Sequence, residues 1–180
     1  MTGMKMQSTL SGTGTEPMAG AIFDSGEVYR YALWRTWDTN KPSMMFLLLN
    51  PSTATAEIMD PTMTRCMGFA MRWGYGKMVV ANIFALRSTD PKMLYLHSDP
   101  IGPDNNKHIV EMVQKANRVV VGWGNHGTFK SRGKAVLKLI SPHTDIYCFG
   151  LTEKKQPRHP LYLPNNADLI KIGEKEKKDI

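Results

Sequence analysis

LLLNPSTA, residues 47–54, closes an apolar run that begins at Met44. The six residues MMFLLL (44–49) show none of the alternation of a half-buried strand. They read as a strand covered on both faces, the kind found inside parallel sheets. The run stops at Asn50 and Pro51, two turn formers, followed by Ser52 and Thr53. Asn50 therefore has two readings. It ends a strand, or it is an amide held at the rim of a sheet, where ligands bind beyond the carboxyl ends of strands.

On the N-terminal side, AIFDSGEVYRYALWRTW (21–37) reads as two strands around an Asp24-Ser25-Gly26 turn. On the C-terminal side, Asp60-Pro61 is an N-cap acid followed by proline at the first helical position. Met63, Cys66, Met67, Ala70 and Trp73 then form one apolar helical stripe, which Gly74 ends. KMVVANIFAL (77–86) is a strand interrupted by Asn82. A long loop leads to a helix opened by Asp104, with Ile109, Met112, Val113 and Ala116 as its buried face. RVVVGW (118–123), a helix over about 132–141 and DIYCFG (145–150) complete the alternation. The pattern predicts an α/β domain: three α/β/α layers around a mainly parallel sheet, with an N-terminal hairpin. Residues 1–20 read as a flexible leader, 21–165 as a single domain and 166–180 as a basic tail.

Composition narrows the classes. The chain has 180 residues, enough for one sizeable core, and no apolar run of membrane-spanning length. The N-terminus has no apolar signal-peptide region, and two cysteines are too few for a disulfide framework. A reducing, cytoplasmic setting without membrane association is expected. The net charge of +7 is uneven. Residues 1–117 hold 11 Lys and Arg against 10 Asp and Glu, whereas residues 118–180 hold 12 against 6. A field concentrated in the last third suits a polyanionic partner, a nucleic acid or a nucleotide. A solvated basic surface with a lysine tail explains part of the same excess.

The polar residues that interrupt or follow apolar strands are the candidates for a site. Asn82 has an amide that either ties down a loop or faces a pocket, where it would pair with a carbonyl and an N–H of a nucleobase edge. GWGNHG (122–127) supplies the small residues of an anion-binding turn, or of an ordinary strand-to-helix loop. His159 lies between Arg158 and Pro160, whose setting favours a neutral ring. Arg65, Arg72 and Arg87 are candidate phosphate contacts or salt-bridge partners. His126, His143, His159 and Cys148 match no zinc spacing, so neither a metal nor another cofactor is expected.

LLLNPSTA, DPTMTRC, RWGYGKMVVANIFALRSTDP, VVVGWGNHG and HPLYLP together resemble a family of uncharacterised bacterial and phage proteins, over about residues 25–165. More distantly, four motifs in order resemble the uracil-DNA glycosylase superfamily. LLLNPS (47–52) is similar to its GINPG motif and VANIFALRS (80–88) to TNVVKCRP, with Asn82 aligned. VVVGWGNHG resembles its late strand and turn, and HPLYL (159–163) its HPSP or HPSYL motif. The resemblance implies a uracil-DNA-glycosylase-like fold and cleavage of the N-glycosidic bond of a flipped, modified or unmodified base. Asn50 would position the attacking water with help from the Pro51 backbone, beside Ser52. Asn82 would read the base, and His159 would donate to its oxygen as charge develops. Pro160 and Tyr162 would press the DNA backbone. Gly122, Gly124, Asn125, Arg87 and Arg158 would contact phosphate. Asp60 and Arg65 have no assigned counterpart, and the stacking aromatic is sought among Phe84, Phe69 and Tyr75. Two other readings stand beside this one: a non-catalytic module that binds nucleic acid or a modified base, and an enzyme acting on free nucleotides.

Overall fold

The computed structural model describes residues 3–10, 17–52, 54–55 and 58–180. Its strands are β1 (Met4–Leu10), β2 (Pro17–Asp24), β3 (Arg30–Thr36), β4 (Ser43–Leu48), β5 (Lys77–Asn82), β6 (Arg118–Val121), β7 (Ile146–Cys148) and β8 (Ile170–Lys171). The helices are α1 (Pro61–Arg72), α2 (Met93–Leu96), α3 (Asn105–Lys115), α4 (Arg132–Ile140) and α5 (Glu174–Asp179). Short 3₁₀ segments cover Asn125–Ser131 and Pro160–Tyr162.

All eight strands form one sheet in the order β1-β2-β3-β5-β4-β6-β7-β8. Strand β4 pairs in parallel with β5 on one edge and β6 on the other, and β6 pairs in parallel with β7. The remaining four pairings, β1–β2, β2–β3, β3–β5 and β7–β8, are antiparallel. The sheet is thus mixed, and among the described residues the helices are few and short. This corrects the expected fold, a three-layer domain with a mainly parallel sheet of the uracil-DNA-glycosylase kind. The strand–helix alternation between residues 44 and 150 accounts only for the inner strands. Hairpin pairing adds β1, β2 and β3 to the free edge of β5, where Leu33 faces Val80. The chain also turns back after β7 to add β8. Period-2 patterning reports burial but not strand direction, so neither addition shows in it. Residues 4–10, inside the stretch read as a leader, form β1, and residues 1, 2 and 11–16 lie outside the described residues.

Burial explains the composition of β4. Met45, Leu47 and Leu49 join one core cluster with Ile109, Val113, Val136 and Ile140. Met44, Phe46 and Leu48 join the other with Met63, Cys66, Phe69 and Ala70. Helices α3 and α4 cover one face and α1 the other. The Asp60 carboxylate caps α1 by accepting from Met63 N–H at 2.7 Å, with Pro61 at the first helical position. Cys66 and Cys148 are buried free thiols, and burial pushes both toward the protonated form.

Two polar groups anchor the end of β5 from below. The buried Asn105 amide donates to the carbonyls of Asn82 and Ile83, both at 3.0 Å. The buried Arg132 guanidinium donates to Ile83 O at 2.6 Å and to Asn106 Oδ1 at 2.7 Å. Replacing Asn105 by Ala leaves carbonyls unsatisfied at the strand end. We expect a loss of roughly 1–3 kcal/mol, read as a lower urea midpoint with an unchanged slope.

Candidate functional site

The parallel strands release the chain along one edge of the sheet. Ile83 N–H and Phe84 N–H donate to Leu48 O and Leu49 O at 2.8 and 2.9 Å, carrying the β4–β5 pairing past its formal end. Asn50 then donates from Nδ2 to Ser88 O at 2.8 Å, while Ser88 N–H donates to Pro51 O at 2.8 Å. The turn after β4 is thereby fastened to the turn after β5. The Asn50 Oδ1 accepts no hydrogen bond among the described residues, and Asn50 lines the cavities beside it.

His159 arrives from the other side. Gly122, just beyond β6, has no side chain because one would meet Arg158 O at 3.0 Å and Pro160 Cδ at 3.1 Å. Gly124 adopts a positive φ of +67° and donates to Pro157 O at 2.8 Å. These contacts lay the 157–163 segment across the sheet edge. His159 Nδ1 accepts from Leu161 N–H at 3.3 Å, which leaves the ring proton on Nε2.

Asn50 and His159 form a wall shared by two cavities. The inner chamber, about 100 Å³, is also lined by Asn82, Ser52, Asp60, Thr62, Ser88 and Arg30. The outer cleft, about 480 Å³, is lined by Trp123, Gly124, Asn125, His126, Thr152, Arg158 and Tyr162. Asn82 is 3% exposed, and its side-chain amide has no hydrogen-bond partner among the described residues. Asp60 accepts from the Ser52 hydroxyl through the carboxylate that also caps α1. Arg30 is buried on β3. One of its nitrogens donates to Ala54 O at 2.5 Å, and its Nε is buried without a partner among the described residues. Burial lowers the Arg30 pKa to about 10, against the pull of Asp60, so the side chain stays charged at neutral pH. Burial pushes His159 down to about 4, again opposed by Asp60, so its ring is neutral. The chamber is thus lined by a neutral imidazole N–H, two side-chain amides, a carboxylate and a buried cation.

Other residues named from sequence sit elsewhere or do structural work. Pro51 is buried and contributes its carbonyl to Ser88. Gly122 and Pro160 form the close contact that seats His159. Asn125 Oδ1 accepts from the Thr152 hydroxyl at 2.7 Å. Arg158 is exposed at the outer cleft, and Tyr162 is 82% exposed on its rim. Arg87 lines neither cavity. It donates to Glu27 O at 2.8 Å and lies 4.9 Å above the Phe23 ring. Arg65 lines a separate groove along α1 and donates to Asn165. Phe84 and Phe69 are core residues, and Tyr75 packs on the core, so none of the three lines either cavity. Gly127 and Gly133 make room for the Trp123 indole, which accounts for much of the glycine after β6.

Sequence reading missed Arg30 and the Tyr95–His126 pair. An arginine flanked by two tyrosines at the start of an otherwise buried strand was the available signal for the first. Tyr95 OH and His126 Nδ1 lie 2.8 Å apart beside the outer cleft, brought together by α2 and the turn after β6. Among the described residues, no three His, Cys, Asp or Glu side chains converge as a metal site. No helix among them is long and apolar enough to cross a membrane.

A family described as "Protein of unknown function (DUF1643)" matches residues 30–161, which hold every residue lining the inner chamber and all of those lining the outer cleft except Tyr162 and Leu163. The chain belongs to DUF1643. No curated protein and no solved structure matches it. The DUF1643 match runs from Arg30 at the floor of the chamber to Leu161, just past His159 on its wall.

The His159 environment has a pH signature. The unfolded ring takes its proton near 6.5 and the folded one near 4. Between these values the unfolded chain binds the extra proton, so stability falls as pH drops through 6.5 toward 4. From pH 7 to pH 5 this group alone costs about 2 kcal/mol. A His159→Gln variant should lose that much less than the wild type over the same interval, measured by urea unfolding at both pH values.

Proposed function

We propose that this chain is a DNA glycosylase-like enzyme that takes a flipped nucleobase, modified bases included, and cleaves its N-glycosidic bond by hydrolysis or base exchange. The observation that carries the reading is the Asn82 amide. The residue is buried, its amide makes no hydrogen bond among the described residues, and it lines a chamber shared with Asn50, Asp60 and His159. A side-chain amide offers both donors and an acceptor, which a base edge can match with an acceptor and a donor of its own. The reading rests on the site and not on the architecture of the sheet.

In the hydrolytic route a water attacks C1′ of the sugar. The C1′–N bond breaks, and its electron pair passes onto the base. His159 Nε2–H, neutral and already a donor, hydrogen-bonds the base oxygen where that charge collects. Asn50 Oδ1 orients the water, since its Nδ2 is already committed to Ser88 O. Asp60 faces the positive charge that grows on the sugar and receives the proton released by the water. Arg30, buried below, offsets the Asp60 carboxylate and the charge on the departing base. Tyr162 stands exposed at the rim, where an aromatic ring can stack on, or wedge between, neighbouring bases.

The outer cleft favours one other reading. Its polar lining of Asn125, His126, Thr152 and Arg158 suits a single nucleotide, so the substrate would be a free metabolite. That reading requires thermal stabilisation by mononucleotides and no affinity for oligonucleotides.

The test is a base-release assay on single-stranded and duplex oligonucleotides carrying a panel of pyrimidine modifications, read by mass spectrometry. We expect release by the wild type. Asn50→Ala should reduce it at least about a hundredfold, and Asn82→Ala should change which base is released. Binding that persists with no release from any substrate would make the protein a recognition module instead.

A further inference from the structure

The groove beside the chamber carries a second inference. It runs along α1, has a volume of about 700 Å³ and shares Asp60 with the inner chamber. Arg65, Gly68 and Arg72 line it, spaced i, i+3 and i+7 on one helical face. Gly68 is the unusual member. It sits inside a 12-residue helix, where glycine is destabilising relative to alanine. A Cβ built there meets nothing within 4 Å among the described residues, and its φ is not positive. Neither packing nor backbone conformation therefore calls for glycine. The missing side chain leaves the groove floor flat between two guanidinium groups.

Those guanidinium groups are held in place by the fold. Arg65 donates to Asn165 and lies 5.4 Å from the centre of the Phe69 ring. Arg72 donates to Ala167 O and lies 4.9 Å from the Trp73 ring. Arg72 also meets Asp168 at 3.4 Å, but that carboxylate is 87% exposed and the pair is weak. An incoming phosphate can displace it. Asp60 contributes a negative charge at one end of the groove, where it also walls the chamber.

We propose that a phosphodiester chain lies in this groove over Gly68, with phosphates beside Arg65 and Arg72. The adjacent nucleotide would then turn its base into the chamber past Asp60. The inference rests on the nucleobase reading above and makes the substrate of that site a polynucleotide.

The experiment is fluorescence anisotropy of labelled oligonucleotides at several salt concentrations, on the full chain, alongside thermal melts and the base-release assay. Gly68→Ala should raise Tm by about 2–4 °C, because it removes a helix-interior glycine, yet weaken oligonucleotide binding. Gly68→Glu should weaken binding by roughly tenfold or more at low salt. Arg72→Gln should lower the slope of log affinity against log salt by about 1. A role confined to folding would move stability and affinity in the same direction. If oligonucleotides bind and are processed equally well by wild type, Gly68→Ala and Gly68→Glu, the groove proposal fails while the chamber reading stands. If the wild type neither binds oligonucleotides nor releases a base from them, both fail together.

Discussion

Strand β4 is paired on both edges and buried on both faces, and the site depends on that confinement. A strand so enclosed can carry nothing polar until it leaves the sheet. Asn50 is where it leaves, and the neighbouring parallel strands release their chains along the same edge. The Asn50–Ser88 hydrogen bond then commits the amide's nitrogen and leaves its oxygen available. The ends of three strands, with one segment laid across them, suffice to build two cavities with a common wall.

The electrostatics of the chamber follow from its depth. Arg30 and Asp60 influence each other across the chamber without direct contact, so neither charge is fully neutralised by its neighbour. His159 is denied a proton by burial although Asp60 favours one. The result is an enclosure with charge at its boundary and a neutral donor at its mouth. In such an enclosure the donors act at a lower dielectric than in water, so their hold on negative charge is stronger.

What the sequence made legible was position along the chain. Asn50, Asn82 and His159 each stood out because they interrupt or follow apolar segments, and the structure sets all three on one chamber. Helix α1 was readable from Asp60-Pro61 and its apolar stripe. Strand direction was not readable. Leu33 pairs equally well with either orientation of a neighbour, and only the three-dimensional path of the hairpin makes the β3–β5 pairing antiparallel. Arg30 escaped notice because an arginine in an edge-like pattern reads as solvent-facing. The hairpin, by adding strands beyond it, turns that position inward. The glycines of GWGNHG suggested a ligand, whereas Gly127 and the later Gly133 answer mainly to the bulk of Trp123.

The close contact between Gly122 and the Arg158–Pro160 segment has a consequence for how the molecule forms. Asn50 and His159 are about a hundred residues apart in sequence, and the chain must complete β6 and β7 before the second can be seated against the first. Such long-range closure is entropically costly and comes late in folding. A fragment that ends before residue 159 lacks one of the two residues that form the wall between the cavities. Occupancy of that site by a ligand therefore counts only fully folded molecules.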